Sequence, residues 1–325
     1  MPLKYDQEWA DATTAFRSAM AASQPALHDI STRRQNLDAM IAMIKATSPP
    51  IPSDVAIKVH PFNSYDGAAL SIDQIALQSH LNGSTGPAIF YIHGGGMIHG
   101  KASDIHVALA QHIRECGVQV LAVDYRLAPE HRHPVPAEDC FAALKWVQSH
   151  ATELNIDANR IALWGHSSGA GLAAGVALMA RDRCLEPKIA KQILFSPMLD
   201  SRTATSPVDK EIEPFLVAWS AADNLTGWSA YLGRDWVEEE VVDLPFASPS
   251  RAKSLKGLPD TYIDVAGLDL FRDECTEFAA RLAKDGVNVE FHLYPGVPHV
   301  FTPVAPEVGV VKRATSNQLA AFKSF

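Results

Sequence analysis

The apolar positions of the chain follow two rhythms. From residue 87 onward, short unbroken apolar runs alternate with stretches of helical period. "PAIFYIH" precedes 104–115, "VQVLAV" precedes 136–150 and "RIALWG" precedes 167–181; "AKQILFSP" follows, "TYIDVAG" precedes 272–284, and "VNVEFHLYP" leads into a C-terminal helix. Runs that do not alternate polar with apolar fit strands buried on both faces. Their alternation with helices predicts an α/β fold with a mostly parallel central sheet. Ahead of it, residues 5–45 have helical period, with Leu37, Met40, Ile41 and Ile44 on one face and Ser31 as the expected N-cap. "SPPIP" at 48–52 ends that pattern, since proline lacks an amide hydrogen and its ring clashes with the preceding turn. Two strands, at 54–62 and 68–77, are predicted around a turn at Tyr65, Asp66 and Gly67.

The rhythm breaks at 201–245, where Phe215, Trp219, Trp228, Tyr231 and Trp236 crowd together. Large aromatics at such spacings read first as core, and second as the wall of a substrate pocket. The expected organisation is an N-terminal helical part of a cap at 1–50, an α/β domain formed by 51–200 and 246–325, and an inserted helical part of the cap at 201–245. A length of 325 residues, just above the ~250–300 at which one core stops growing, agrees with a main domain plus a smaller one.

Composition narrows the partners. The net charge of -9, without a Lys/Arg run, disfavours nucleic acid and anionic membrane surfaces. No stretch approaches the ~20 apolar residues of a membrane span, and the N-terminus is acidic where a secretory leader is basic. Cys116, Cys140, Cys184 and Cys275 are scattered without metal-ligand spacing, so they read as thiols of a reducing compartment and the cytosol is the expected location. Asn82 and Asn224 begin N-x-S/T triplets, which without a leader read as chance.

The chemistry concentrates in four places. "WGHSSGAG" at 164–171 lies between a strand and an Ala/Gly-rich helix, the carboxyl end of a strand where ligands bind in open α/β sheets. A sharp strand-to-helix turn brings the residues at -2 and +2 together, so both must be small. Ser167 has Gly165 and Gly169 at those positions; Ser168 has His166 and Ala170, and His166 would clash. Ser167 is therefore the candidate nucleophile. "YIHGGGM" at 91–97 follows a strand and offers backbone amides without obstructing side chains, suited to a developing oxyanion; losing one such donor costs ~3–4 kcal/mol of barrier. Gly95 and Gly96, joined by Ser168, are the expected donors, with Gly94 an alternative that sequence cannot separate; His93 is expected to brace the loop. A phosphate-binding reading of these glycines fails on spacing.

Among thirteen histidines, His299 in "YPGVPHVF" follows the last strand on a loop that can reach the Ser167 turn. His112 and His150 fall in helices, His292 in a strand, and the rivals His131 and His133 precede the nucleophile in a Pro-rich stretch. Of the carboxylates in "TYIDVAGLDLFRDE", Asp264 is mid-strand, Asp273 and Glu274 open a helix where the dipole alone accounts for them, and Asp269 lies just past the strand end. The order Ser167, Asp269, His299 matches a nucleophile–acid–base triad in which the carboxylate orients the imidazole without taking its proton.

Together these segments resemble the hormone-sensitive-lipase-like esterases, a branch of the α/β-hydrolases, over roughly residues 85–305. "HGGGM" is similar to the family's HGGG loop, and "DYRLAPEHRHPVPAEDC" at 124–140 to its YRLAPE segment, where Arg126, Glu130 and Asp139 would be structural partners. "GHSSGAG" stands for GDSAGG, "GLDLFRDE" for DPLRDE and "PHVF" for HGF, so His166 replaces an aspartate, Ser168 an alanine and Leu270 a proline. The resemblance implies an α/β-hydrolase fold with a helical cap. It also implies hydrolysis of small carboxylic esters with short or medium acyl chains, without metal or cofactor, by a protein that can form homodimers. Amide or lactone hydrolysis by the same triad, and non-catalytic ligand binding on the same fold, stay open at this level.

Overall fold

The computed structural model describes residues 2–21, 25–81, 83 and 85–325. The Asn82 triplet lies partly outside them. Along the chain, helices α1 (Gln7–Ala12), α2 (Thr14–Ala21) and α3 (Ile30–Thr47) are followed by strands β1 (Val55–Asn63) and β2 (Ala69–Leu77), a short helix α4 (Gln78–Leu81), and β3 (Gly86–Ile92). Next come α5 (His106–Cys116), β4 (Gln119–Asp124), α6 (Val135–Ser149), β5 (Ile156–His166), α7 (Ser168–Asp182) and β6 (Lys191–Phe195). The chain closes with α8 (Ala221–Leu232), α9 (Leu244–Ala247), β7 (Asp260–Ala266), α10 (Arg272–Lys284), β8 (Val289–Tyr294) and α11 (Gly309–Phe322). The helical period of residues 5–45 thus resolves into three helices. The expected N-cap, Ser31, lies inside α3; Asp29 caps it, accepting the Thr32 amide at 3.0 Å. Asp29 also accepts from the Thr32 hydroxyl, so its carboxylate outcompetes the Ser31 side chain for the helix start.

The strands form one eight-stranded sheet in the order β1-β2-β4-β3-β5-β6-β7-β8. The β1–β2 and β2–β4 pairs are antiparallel and the remainder parallel, as buried apolar runs require. Successive residues face opposite layers. Phe90, Leu163 and Ile263 pack toward α6, α7 and α10, while Ile89, Trp164 and Tyr262 pack toward α5 and α11. The carboxyl ends of β3, β5, β7 and β8 therefore open at one rim, which positions the site.

The N-terminal helices divide their contacts. Trp9 of α1 is buried among Tyr294, Val297, Phe301 and Val308, and its indole N–H donates to the Phe301 carbonyl at 3.3 Å, bracing the loop after β8. Helix α3 instead meets the 201–245 segment and the loop after β3. Arg33, 3% exposed, pairs with Asp223 at 2.9 Å, and Arg34 donates to the Ile98 carbonyl at 2.8 Å and pairs with Glu130 at 2.7 Å. Among the described residues, no helix is long and apolar enough to cross a membrane.

Candidate active site

Strand β5 ends at His166 and α7 begins at Ser168, leaving Ser167 alone on the turn. Its φ of 58° and ψ of -124° are a conformation that a side chain tolerates only under strain. The two flanking glycines permit it. A Cβ on Gly165 would stand 2.3 Å from the Gly169 carbonyl oxygen, and one on Gly169 would stand 2.2 Å from that of Ile92. Backbone hydrogen bonds hold the turn: Ser167 N–H donates to Phe195 at 2.8 Å, and the Ser167 carbonyl accepts from Met198 at 3.1 Å.

The loops after β7 and β8 bring Asp269 and His299 to this serine. The Ser167 hydroxyl lies 3.0 Å from His299 Nε2, and His299 Nδ1 lies 2.6 Å from Asp269 Oδ2. The other carboxylate oxygen accepts the Phe271 amide at 3.0 Å. Asp269 is fully buried and His299 is 5% exposed, so these contacts act in a medium of low polarity. Phe271 meets the His299 ring edge-on at a centroid distance of 5.2 Å, and His166 lies nearly parallel to it at 5.6 Å. Burial, reinforced by the neighbouring His299, pushes the pKa of His166 down to about 3, so it presents a neutral ring. The residue after His299, Val300, has φ of 62°, a strained setting for a β-branched side chain.

The loop after β3 approaches from the other side. Gly94 is the residue against the nucleophile, since a Cβ there would lie 3.4 Å from Ser167 Cβ. Gly95 adopts φ of 113°, and a Cβ on it would stand 2.2 Å from the His99 carbonyl oxygen. On Gly96 a Cβ would stand 2.1 Å from the Trp219 ring. Among the described residues, the amides of Gly94, Gly95 and Gly96 have no protein acceptor. His93 braces this loop: its Nδ1 donates to the Gly94 carbonyl at 2.9 Å, and its ring stacks on Tyr125 at 4.2 Å. Burial lowers the His93 pKa to about 4, keeping the brace neutral.

Several supporting groups escape a sequence reading. The Ser168 hydroxyl accepts the Met97 amide at 3.2 Å, so the second serine fastens the glycine loop beside the nucleophile, where sequence singled out only its backbone. Tyr125 donates its hydroxyl to the His93 carbonyl at 2.9 Å. Glu274, expected to serve the helix dipole alone, is 6% exposed and accepts the Leu199 amide at 2.6 Å, tying α10 to the segment behind the turn. Burial raises its pKa well above the usual carboxylate range. The rivals lie elsewhere. His133 bonds the Val242 carbonyl at 2.8 Å, His112 that of Ala108 at 2.6 Å, and His292 pairs with Glu290. Asp264 is held by Tyr262 and Gln318, Asp273 pairs with Arg272, and Asp139 grips Arg126 at 2.7 Å. Asn224 is fully buried, bonding Thr203.

Comparison with known proteins agrees with this architecture. A family model for the alpha/beta hydrolase fold matches residues 89–303. The chain is similar to Esterase LipI of Mycobacterium tuberculosis, 33% identical over 237 residues, covering 73% of this chain and 72% of that protein. It is similar as well to gibberellin receptor GID1C of Arabidopsis thaliana, 33% identical over 242 residues and covering 70% of this chain and 69% of the receptor. Among solved structures, a bacterial heroin esterase superposes with a TM-score of 0.85 at 35% identity, covering 98% of this chain and 97% of that one.

Proposed function

We propose a mechanism from one premise: the chain belongs to the hormone-sensitive-lipase-like branch of the alpha/beta hydrolases and is a carboxylic ester hydrolase. In the reading we favour, Ser167 Oγ attacks the ester carbonyl carbon while its proton passes to His299 Nε2. Asp269 holds the ring so that Nδ1–H points at the carboxylate and stabilises the imidazolium formed. The tetrahedral intermediate collapses, the C–O bond to the alcohol breaks, and His299 returns the proton to the leaving oxygen. Water then attacks the acyl-enzyme, giving its proton to His299, and the acid departs with Ser167 restored.

The oxyanion is assigned to the backbone amides of Ser168, Gly95 and Gly94. Gly94 is preferred here to the Gly96 that sequence favours, because a Cβ on Gly94 would lie 3.4 Å from Ser167 Cβ, whereas one on Gly96 would meet the Trp219 ring. The observation that carries the reading is the chain of contacts from Ser167 through His299 to Asp269, at 3.0 Å and 2.6 Å. Short-acyl esters, within the short- to medium-chain range that the family resemblance implies, are the proposed substrates.

The test is Ser167→Ala. It should abolish hydrolysis of p-nitrophenyl acetate, a loss of at least 10³-fold, while the far-ultraviolet spectrum is unchanged. Retained turnover overturns the nucleophile assignment. The likeness to a gibberellin receptor supports a second reading, ligand binding without turnover. His299 beside Ser167 weighs against it, and labelling of the parent protein by a fluorophosphonate separates the two.

A further inference from the structure

We propose that Trp219 is the specificity-determining residue of this site: its indole partitions the glycine loop from an apolar cavity and so restricts the enzyme to short-acyl esters. The inference rests on the ester-hydrolase reading above and deepens it. Trp219 is wedged rather than merely packed. Its Cη2 lies where a Cβ of Gly96 would be, at 2.1 Å, and its Cζ2 stands 3.4 Å from the corresponding position on Gly227 of α8. Glycine at both positions is what lets the ring slide between the loop and the helix. Helix α8 is itself held close, since a Cβ on Gly227 would stand 3.0 Å from the Gly96 carbonyl oxygen. The ring is 5% exposed, and its N–H faces Asn224 Oδ1 at 3.5 Å.

Trp219 also lines a mostly apolar cavity of about 200 Å³, whose walls include Leu37, Met40 and Val217, with Arg33, Asn36 and Asp223 on its polar side. That volume is below the ~300 Å³ at which drug-sized sites begin, so it suits a short chain or a single ring. Methionines give it walls that adapt to either. One indole therefore separates this apolar space from Gly96, the neighbour of the proposed oxyanion donors. In this proposal the indole closes the way from Ser167 past Gly96 into the cavity. Without it, the cavity and the site become one chamber with room for a medium chain, whose added methylenes are buried there.

The experiment measures kcat/KM for p-nitrophenyl acetate, butanoate, octanoate and decanoate with the parent, Trp219→Ala, Trp219→Leu and the double variant Trp219→Ala/Leu37→Phe. The parent should favour acetate and butanoate. Trp219→Ala should raise the octanoate-to-acetate ratio at least tenfold, and refilling the cavity from α3 in the double variant should bring the ratio back toward the parent. Trp219→Leu, which keeps an apolar contact on Gly96, secures the measurement where the alanine variant fails to fold, and should raise the ratio several-fold. A parent that hydrolyses esters, with variants whose ratio stays within twofold of it, overturns the role of Trp219 and leaves ester hydrolysis standing. A parent inert toward every chain length and toward a fluorophosphonate overturns both.

Discussion

What an imidazole can do as a base is set by the charges within a few ångströms of it. His299 has the Asp269 carboxylate at 2.6 Å and the neutral His166 ring stacked at 5.6 Å. Where the resembled family motif places an aspartate before the nucleophile, this chain has an imidazole that is uncharged above about pH 3. An anion favours the protonated form of a nearby base, and His166→Asp places one beside the ring proposed as base. The acid limb of kcat/KM should then move upward by on the order of one unit. His166→Phe, a ring without charge, should leave the limb in place. Coincident limbs for the parent and the aspartate variant would mean that the two rings do not communicate. At this scale, placement relative to strand ends picked Ser167, Asp269 and His299 out of the sequence. The hydroxyl of Ser168 and the buried carboxyl of Glu274 were hidden, because each works on a backbone amide whose position only the folded chain defines.

Strands were more legible in the sequence than helix boundaries. The runs that became β1 to β8 were read within a few residues, since short apolar runs bounded by turn residues have few competing readings. The helical period of residues 5–45 hid a division into three helices, because only tertiary contacts separate α1, bound to the His299 loop, from α3, bound to the 201–245 segment. The α3–α8 contact includes one ion pair whose arginine is 3% exposed and whose aspartate is 20% exposed, and just before α3 the His28 amide donates to Thr226 Oγ1 at 3.1 Å. Asp223→Ala leaves the Arg33 guanidinium buried without its counterion, which costs about 3 kcal/mol at the low end of such losses. Helix α3 should therefore exchange its amide hydrogens at least tenfold faster in that variant, while β3 and β5 stay protected. Equal protection of α3 in both proteins would show that the methionine-lined contact, and not the ion pair, fixes the helix. Since α3 also walls the cavity behind Trp219, the same loosening should widen substrate selection.

Over the whole molecule, buried ionisable groups pull stability in opposite directions with pH. Asp264 is 2% exposed, and burial raises its pKa from 3.8 to about 7 against the opposing bonds from Gln318 and Tyr262. A carboxyl raised in the folded state contributes stability that is complete below the unfolded value and disappears as pH climbs through about 7. His93 and His166 are lowered from 6.5 to about 4 and about 3, so their contribution is complete above 6.5 and disappears as pH falls toward those values. Between roughly pH 4 and 6.5 the two slopes oppose each other; from there to about pH 7 the carboxyl slope is left alone. Asp264→Asn keeps an acceptor for Gln318 and removes the charge. Its melting temperature should match the parent near pH 4 and exceed it by a few degrees at pH 8, as expected for a gain of one to a few kcal/mol in a chain of this size. Parallel melting curves for the two proteins across that range would mean that Asp264 ionises without penalty, and that any decline with rising pH originates in other carboxyls raised by burial, Glu274 and Asp124.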